Sequence, residues 1–387
     1  MPTLREGFTT GTAAAGASIA ALTLLLTGKP PQAVSVPLPP IDNEGCPRTW
    51  LVIPIASCAQ GVHPSLANQK SPPSAAQACV IAAHACVIKD AGDDPDVTNH
   101  AAIYASVLLG EESLGRMSFQ DAQEFITLEG GIGIGRATLP GLPIPVGEWA
   151  INPAPRRQIR AGLWHCLRSM RPIRCILCVP EGEKIAEKTF NPRLGIVGGI
   201  SLLGTHGTVK PYSHEAFIAT IAEQLAIAYA TGERELFFST GRRSEKALQT
   251  LYPTQSVRAF IQVGDHMGAS LALARKGSFS HITVGLFFGK LAKIAQGHLA
   301  THAHESTLNI EALSALCKTF GICPSDPKSR TARHILEALP SDPNGAAFIR
   351  HMVSLAHATM AKESPCPLTV CLFDANGQIL CQSDHTR

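Results

Sequence analysis

The stretch Glu129–Arg160, EGGIGIGRATLPGLPIPVGEWAINPAPRRQIR, restricts this chain more than any other. Glycine lets a backbone approach a neighbour closely and adopt positive φ, and proline stiffens the path between such points. A long segment of this kind inside a globular chain is a binding loop or is disordered. Apolar residues run throughout it (Ile132, Ile134, Leu139, Ile144, Trp149, Ile151), which argues against disorder. It is not a dinucleotide fingerprint. Arg136 stands where the third glycine belongs, and Leu139-Pro140-Gly141-Leu142-Pro143 cannot start the helix that must follow. A tight β-turn loop with no ligand stays open as the plain alternative.

At 387 residues the chain has room for two domains, or one large one, with ample core. Hydrophobic residues at 45% and charged ones at 16% suit a compact soluble enzyme. A net charge of +3 with no long basic run does not nominate nucleic acid. The cysteines follow no framework spacing. Cys175 and Cys178 form the only CxxC, on what reads as a buried strand, where residues three apart face opposite ways and cannot share a zinc. Reduced thiols in a cytosolic, cytoplasmic protein are expected. Ala17–Leu26 resembles a signal h-region, but Glu6 precedes it, no small-residue cleavage site follows, and ten residues are too few to span a membrane. An amphipathic-to-buried helix, capped by Thr10 or Thr12 and stopped by Gly28 and Pro30, is expected instead.

The run Thr9-Thr10-Gly11-Thr12 is either a plain cap or a helix start able to hold an anion. Short strands are expected over 33–38, 50–56, 79–85, 101–109 and 125–128. Lys89–Asp96 packs four aspartates beside a lysine, Gly92 and Pro95, which makes an exposed turn or an acidic active-site cluster, and not an EF-hand. Beyond the glycine-rich stretch come Arg156, Arg157, Arg160, Arg168, Arg171 and Arg174, which suit a polycarboxylate ligand or form a solvated helix face. Another glycine-punctuated region follows, with a turn at Asn191-Pro192 and glycines at 195, 198, 199 and 204.

From Thr208 the pattern alternates. Helices are expected over 213–230, 244–251, 267–275 and 289–297, and strands over 235–239, 259–263 and 281–287, which predicts a parallel sheet. Ligands of such sheets sit beyond the carboxyl ends of the strands, here Ser239-Thr240-Gly241, Gly264-Asp265-His266 and Gly285–Gly289. Helices near 306–318, 328–338 and 345–361 precede a hairpin, 368–373 and 378–382, around Asn376-Gly377. His298, His302 and His304 form HxxxHxH. On a helix, His298 and His302 would share a face, yet a hydrogen-bonding or ligand-facing role fits equally well and no metal site is expected.

Four long runs, LREGFTTGTAAA, VIKDAGDDPDVT, GGIGIGRATLPGLPIPVGEWAINPAPR and KTFNPRLGIVGGISLLGTHGTVKPYS, together resemble the CbiD family over about the first 215 residues. The likeness loosens afterwards, where Gly285–Gly297 and Thr301-His302 are similar to that family's glycine-lysine helix and histidine. Ala13 stands where the family often carries cysteine, which argues against a catalytic thiol there. Ser239–Ser244 and Asp265-His266 replace a TPGN-like loop and an asparagine-bearing turn.

The resemblance implies an S-adenosylmethionine-dependent methylation of C-1 of cobalt-precorrin-5B, giving cobalt-precorrin-6A in anaerobic cobalamin biosynthesis. Cobalt would be present only within the corrinoid substrate. A non-catalytic corrinoid-binding protein, or an enzyme acting on a neighbouring corrin intermediate, are the alternatives. The expected fold is α/β and α+β in two domains. Residues 1–207 would form a mixed-sheet α+β domain on the corrinoid side, and 208–387 a Rossmann-like α/β domain with parallel strands on the methyl-donor side. Substrate contacts are expected from Thr10, Gly11, Thr12, Lys89, Gly131, Gly133, Gly135, Arg136, Asn191, Arg193, Gly198 and Gly199. Asp90, Asp94 or His206 would act as acid or base. Donor contacts are expected from Ser239, Thr240, Gly241, Gly264, Asp265, His266 and Gly289. No membrane partner is expected, and a homodimer stays open.

Overall fold

The computed structural model describes residues 4–64, 81–111, 118–120, 122–167, 169, 171–302, 305–322, 331–337, 339 and 343–383. The chain divides into two units, 1–213 and 214–387. The division lies six residues beyond the expected 207/208 boundary, because Thr208–Val209 pairs antiparallel with Gly7–Phe8 and so belongs to the first unit.

In the first unit a five-stranded sheet runs in the order Ser57–Gln60, Ile81–Ile88, Ala102–Leu109, Ile173–Cys178, Ile126–Gly130. Its pairings are antiparallel except the last, which is parallel. Period-two burial sets one face. Ala83, Ala85 and Val87 lie opposite Val107, Ala105 and Ile103, all fully buried against the helix Thr10–Thr27. That helix is buried nearly all round rather than amphipathic, as its run of alanines allows. Small residues let it pack closely: a Cβ added to Gly162 of the helix Pro153–Cys166 would meet Ile19 at 2.6 Å.

Two expectations change here. The helix expected between a Thr10 or Thr12 cap and Gly28 spans Thr10–Thr27, and its 18 residues, unlike the ten of Ala17–Leu26, are long and apolar enough to cross a membrane by length and composition, with 78% of them buried inside the unit. Its cap is Thr9, whose hydroxyl accepts from Thr12 N at 3.2 Å, while Gly28 at φ 70° ends it. Of the strand expected over 79–85, residues 79 and 80 lie outside the described residues and the rest falls in Ile81–Ile88. Cys175 and Cys178 lie on opposite faces of their strand in separate clusters, and burial pushes the Cys175 thiol up to about 12.

The second unit holds the strands Phe260–Gln262, Glu235–Ser239, His281–Phe287, Leu368–Phe373 and Ile379–Gln382, in that spatial order. The first four are mutually parallel and the last is antiparallel. Strands 235–239, 281–287 and 368–373 fall where they are expected from the sequence. The hairpin closes as the Asn-Gly pair requires, with Gly377 at φ 84° and Asp374 Oδ1 accepting from Asn376 N and Gln378 N. The helix expected near 306–318 spans Ile310–Thr319, and that expected over 328–338 is Ala332–Glu337 among the described residues. Strand order turns between Glu235–Ser239 and His281–Phe287, so a crevice is expected beyond their carboxyl ends.

Candidate functional site

The two glycine-rich regions of the first unit are stitched together. Gly133–Ile134 runs parallel to Gly199–Ile200, and Arg136–Ala137 antiparallel to Ile196–Val197. Glycine is needed because the chains nearly touch. A Cβ on Gly133, at φ 73°, would lie 1.8 Å from the Val179 carbonyl oxygen, and one on Gly199 would lie 2.1 Å from Gly133 O. Gly131 and Gly135 are buried in the same ladder, their N–H groups bonded to Leu177 O and Ile200 O. Asn191 is buried too; its Nδ2 donates to Gly199 O at 3.0 Å and its Oδ1 accepts from Ser201. These residues, expected against a ligand, pack closely against their own chain. Gly198 differs, being exposed with nothing within 4 Å of an added Cβ, and Arg193 sits half-buried in the turn before it.

Thr10, Gly11 and Thr12 are likewise interior. Thr12 Oγ1 donates to Gly207 O at 2.7 Å, Thr10 Oγ1 bonds with Ser201 and Leu203, and Gly11 N donates to Leu203 O, so these three groups are spent within the chain. Lys89 is 1% exposed and donates to Asp96 at 2.7 Å. The acidic turn is an anchor rather than an open cluster. Arg5 holds Asp90 with both terminal nitrogens and Asp93 with its N–H, and Asp94 accepts from Tyr212 N. The Arg5 hydrogen bonds keep the Asp90 carboxyl down to about 2. Its contribution to stability is complete above the ordinary value of 3.8 and is lost only as pH falls through about 2. Such a carboxylate is a poor base near neutrality. Of the three acid–base candidates, His206 is the exposed one, with Nδ1 beside Thr205 Oγ1 at 3.1 Å.

What the glycine ladder supports is a cleft. Arg136 stacks on Trp149, its guanidinium carbon 3.6 Å from the ring centroid, and donates to Gly147 O at 2.6 Å. Ala137 bonds both ways with the same turn, to Gly147 N and Glu148 O. The turn is one wall of a cavity of about 610 Å³, within the range of small-molecule sites. Pro143, Ile144, Pro145, Ile151 and Phe119 give it apolar walls, while Arg156, Arg157, Arg160 and Glu148 supply its charge.

The arginines occupy one turn of the helix Pro153–Cys166, which starts as Asn152-Pro153 directs. Arg156 is fixed by main-chain carbonyls, Nε to Ile151 O at 2.7 Å and Nη2 to Trp149 O at 3.1 Å. Arg160 spends only Nε, on Ile126 O, so among the described residues its terminal nitrogens bond to nothing. Burial, then the neighbouring Arg156, pull its pKa below the ordinary value. Arg157 Nε is buried with no acceptor among the described residues. Three guanidiniums thus face one carboxylate, a charge balance suited to an anion with more than one acidic group. The other arginines of the run part company here. Arg174 binds Glu129 bidentately on the sheet, Arg171 lies outside the helix, and Arg168 lies outside the described residues.

In the second unit the residues expected at the strand ends converge. Lys290 Nζ donates to Thr240 O and Gly264 O, both at 3.2 Å, and sits 3.1 Å from Asp265 Oδ1. Asp265 Oδ1 also accepts from Thr301 at 2.6 Å, while Oδ2 has no partner among the described residues. Burial raises the Asp265 pKa, but Thr301 and Lys290 outweigh it and hold the group below its usual range. Gly241 and Gly289 have nothing within 4 Å of an added Cβ, so this end of the sheet is open, and Ser239 is buried beneath it. His266 stands 5.1 Å from the His214 ring, which is 5.6 Å from His302. Burial, then His214, lower the His266 pKa, outweighing Asp265 and Glu305, which raise it. His298 follows the helix Phe288–Ala295 instead of lying on it, so the shared face expected with His302 does not form; His304 is outside the described residues. No group of three or more metal-ligating side chains occurs among the described residues. Lys290 is the residue that sequence reasoning passed over as a site residue, although its place one step after Gly289 at a strand end was the available signal.

Comparison with known proteins matches residues 1–211 to the family model described as CbiD. The cobalt-precorrin-5B C(1)-methyltransferase of Nitratidesulfovibrio vulgaris is 42% identical over 322 residues, 82% of this chain and 76% of that protein. Its namesake in Geobacillus kaustophilus is 37% identical over 367 residues, 94% of this chain and 86% of the other. A crystal structure of a cobalamin biosynthesis protein (cbiD) from Archaeoglobus fulgidus, 24% identical, covers 78% of this chain and 83% of that one at a TM-score of 0.37. With more than half the chain matched by the family's model and such identity to its curated relatives, the chain belongs to the CbiD family.

Proposed function

We propose that this protein transfers the methyl group of S-adenosylmethionine to C-1 of cobalt-precorrin-5B, giving cobalt-precorrin-6A. The observation that carries the reading is the arginine cleft, three guanidiniums against one carboxylate in the unit that the CbiD model matches. A ring rimmed with carboxylates presents the anions such a cleft lacks, and the proline-rich wall supplies the apolar surface a macrocycle needs. The cleft residues bind and orient, and His206 is the exposed candidate to move a proton. Moving a methyl from sulfonium to carbon disperses charge, so exclusion of water and fixed orientation would supply much of the acceleration.

The donor is assigned to the second unit, read as Rossmann-like from its four parallel strands and the turn in their order. Two features there fit it. Gly241 and Gly289 leave space that no protein atom fills, and ionised Asp265 offers Oδ2 to a ribose hydroxyl. Lys290 would position both loops through their carbonyls. Lys290→Met is expected to raise the S-adenosylmethionine KM about tenfold, the worth of a charged hydrogen-bond set, and to leave the corrinoid KM in place. Steady-state kinetics with each substrate varied in turn checks this; an unchanged donor KM refutes the assignment. The activity itself is tested by incubating the protein with cobalt-precorrin-5B and S-adenosylmethionine and looking for the mass of one added methyl group in the corrinoid. Donor binding by calorimetry without any mass gain would favour a carrier instead.

A further inference from the structure

Glu148 is the only acid lining the arginine cleft among the described residues, and it is held in two different ways. Its backbone is fixed, with N donating to Pro145 O at 3.1 Å and O accepting from Ala137 N at 3.0 Å. Its carboxylate is loose, 53% exposed and 3.4 Å from Arg156 Nη2, well beyond the reach of a tight charge-assisted bond. Arg156 does not need it for position, because Ile151 O and Trp149 O already fix the guanidinium. The carboxylate therefore contributes charge rather than architecture.

We propose that Glu148 is an internal competitor for the cleft: it occupies Arg156 until a ligand carboxylate displaces it, and so sets how fast a polycarboxylate leaves. The inference rests on reading the cleft as a carboxylate site. A ligand with a single carboxylate exchanges one anion for another at Arg156 and gains little. A ligand with several also reaches Arg160, whose terminal nitrogens have no acceptor among the described residues. When product departs, Glu148 returns to Arg156 and offsets the cost of stripping the cleft of its counter-charge.

The test is binding of uroporphyrin, an octacarboxylate porphyrin, to the full chain, followed by fluorescence quenching for E148Q, E148D and R160Q. E148Q is expected to bind about fivefold tighter, mostly through slower dissociation. The gain should fade at about 1 M salt, where exposed charges are screened. E148D keeps the charge and should bind like the parent protein. If R160Q weakens binding while E148Q leaves it unchanged or weakens it, Glu148 is no competitor and the inference falls with the cleft reading intact. If R160Q binds as the parent does, the cleft reading itself is wrong.

Discussion

Gly133→Ala is expected to lower the thermal midpoint of the first unit by several degrees, and Gly198→Ala by far less. Both glycines have positive φ, 73° and 86°, so each substitution places a side chain in the left-handed region at a cost of roughly 1–2 kcal/mol. The neighbours differ. An alanine Cβ at 133 would stand 1.8 Å from Val179 O, a backbone atom that cannot swing aside, and Gly133 also contacts Gly182 and Gly199. Relief would require parting the strand Ile173–Cys178 from the ladder that joins the two glycine-rich regions. We expect a total near 4 kcal/mol, as for other combinations of backbone strain and overpacking. That corresponds to about 8–16 °C for a unit of this size. Gly198 meets nothing within 4 Å and incurs only the conformational cost. Differential scanning calorimetry of the two variants decides the matter: equal shifts would mean that φ alone matters, and the close-approach argument would fail.

The same contrast explains what could be read from the residues alone. In the second unit the strands Glu235–Ser239 and His281–Phe287 each lie between helices, and such apolar runs are legible without knowing their partners. In the first unit the decisive strands are two residues long and pair with segments some sixty residues away, which no local periodicity reports. Glycines there were read as room for a ligand, because a close approach looks alike in sequence whether the neighbour is a macrocycle or the chain itself. Only added-Cβ geometry separates Gly133, Gly135 and Gly199, which face protein, from Gly198, Gly241 and Gly289, which face open space. The buried helix was legible at both ends, from the threonines that cap it to Gly28 that stops it, and only the choice of Thr9 among those threonines was not, since alanine, glycine and threonine carry no period. The arginine run was visible as composition. Its division was not, because the helix ends at Cys166 and Arg174 goes to Glu129 on the sheet.

That division singles out Arg160 for the second large effect. Arg160→Ala is expected to raise the corrinoid KM about 30- to 100-fold with the S-adenosylmethionine KM unchanged, since one charge-assisted contact to a carboxylate is worth about 2–3 kcal/mol. Arg160 is a cleaner probe than its neighbours. Arg156 also secures the turn through Ile151 O and Trp149 O, and Arg157 reaches Asp42 and Asn43, so truncating either would disturb structure as well as charge. Among the described residues Arg160 gives up a single bond, to Ile126 O, and its terminal nitrogens find no acceptor there beside Arg156, whose like charge makes a bound anion more welcome. Arg160→Lys should recover only part of the loss, because an ammonium restores the charge but not the planar two-pronged grip. A merely structural role predicts something else: both variants would lose turnover in step with thermal stability, and lysine, with its long apolar stem, would rescue as well as arginine. A corrinoid KM that stays level in Arg160→Ala would remove the arginine helix from substrate binding and leave the cleft without a function.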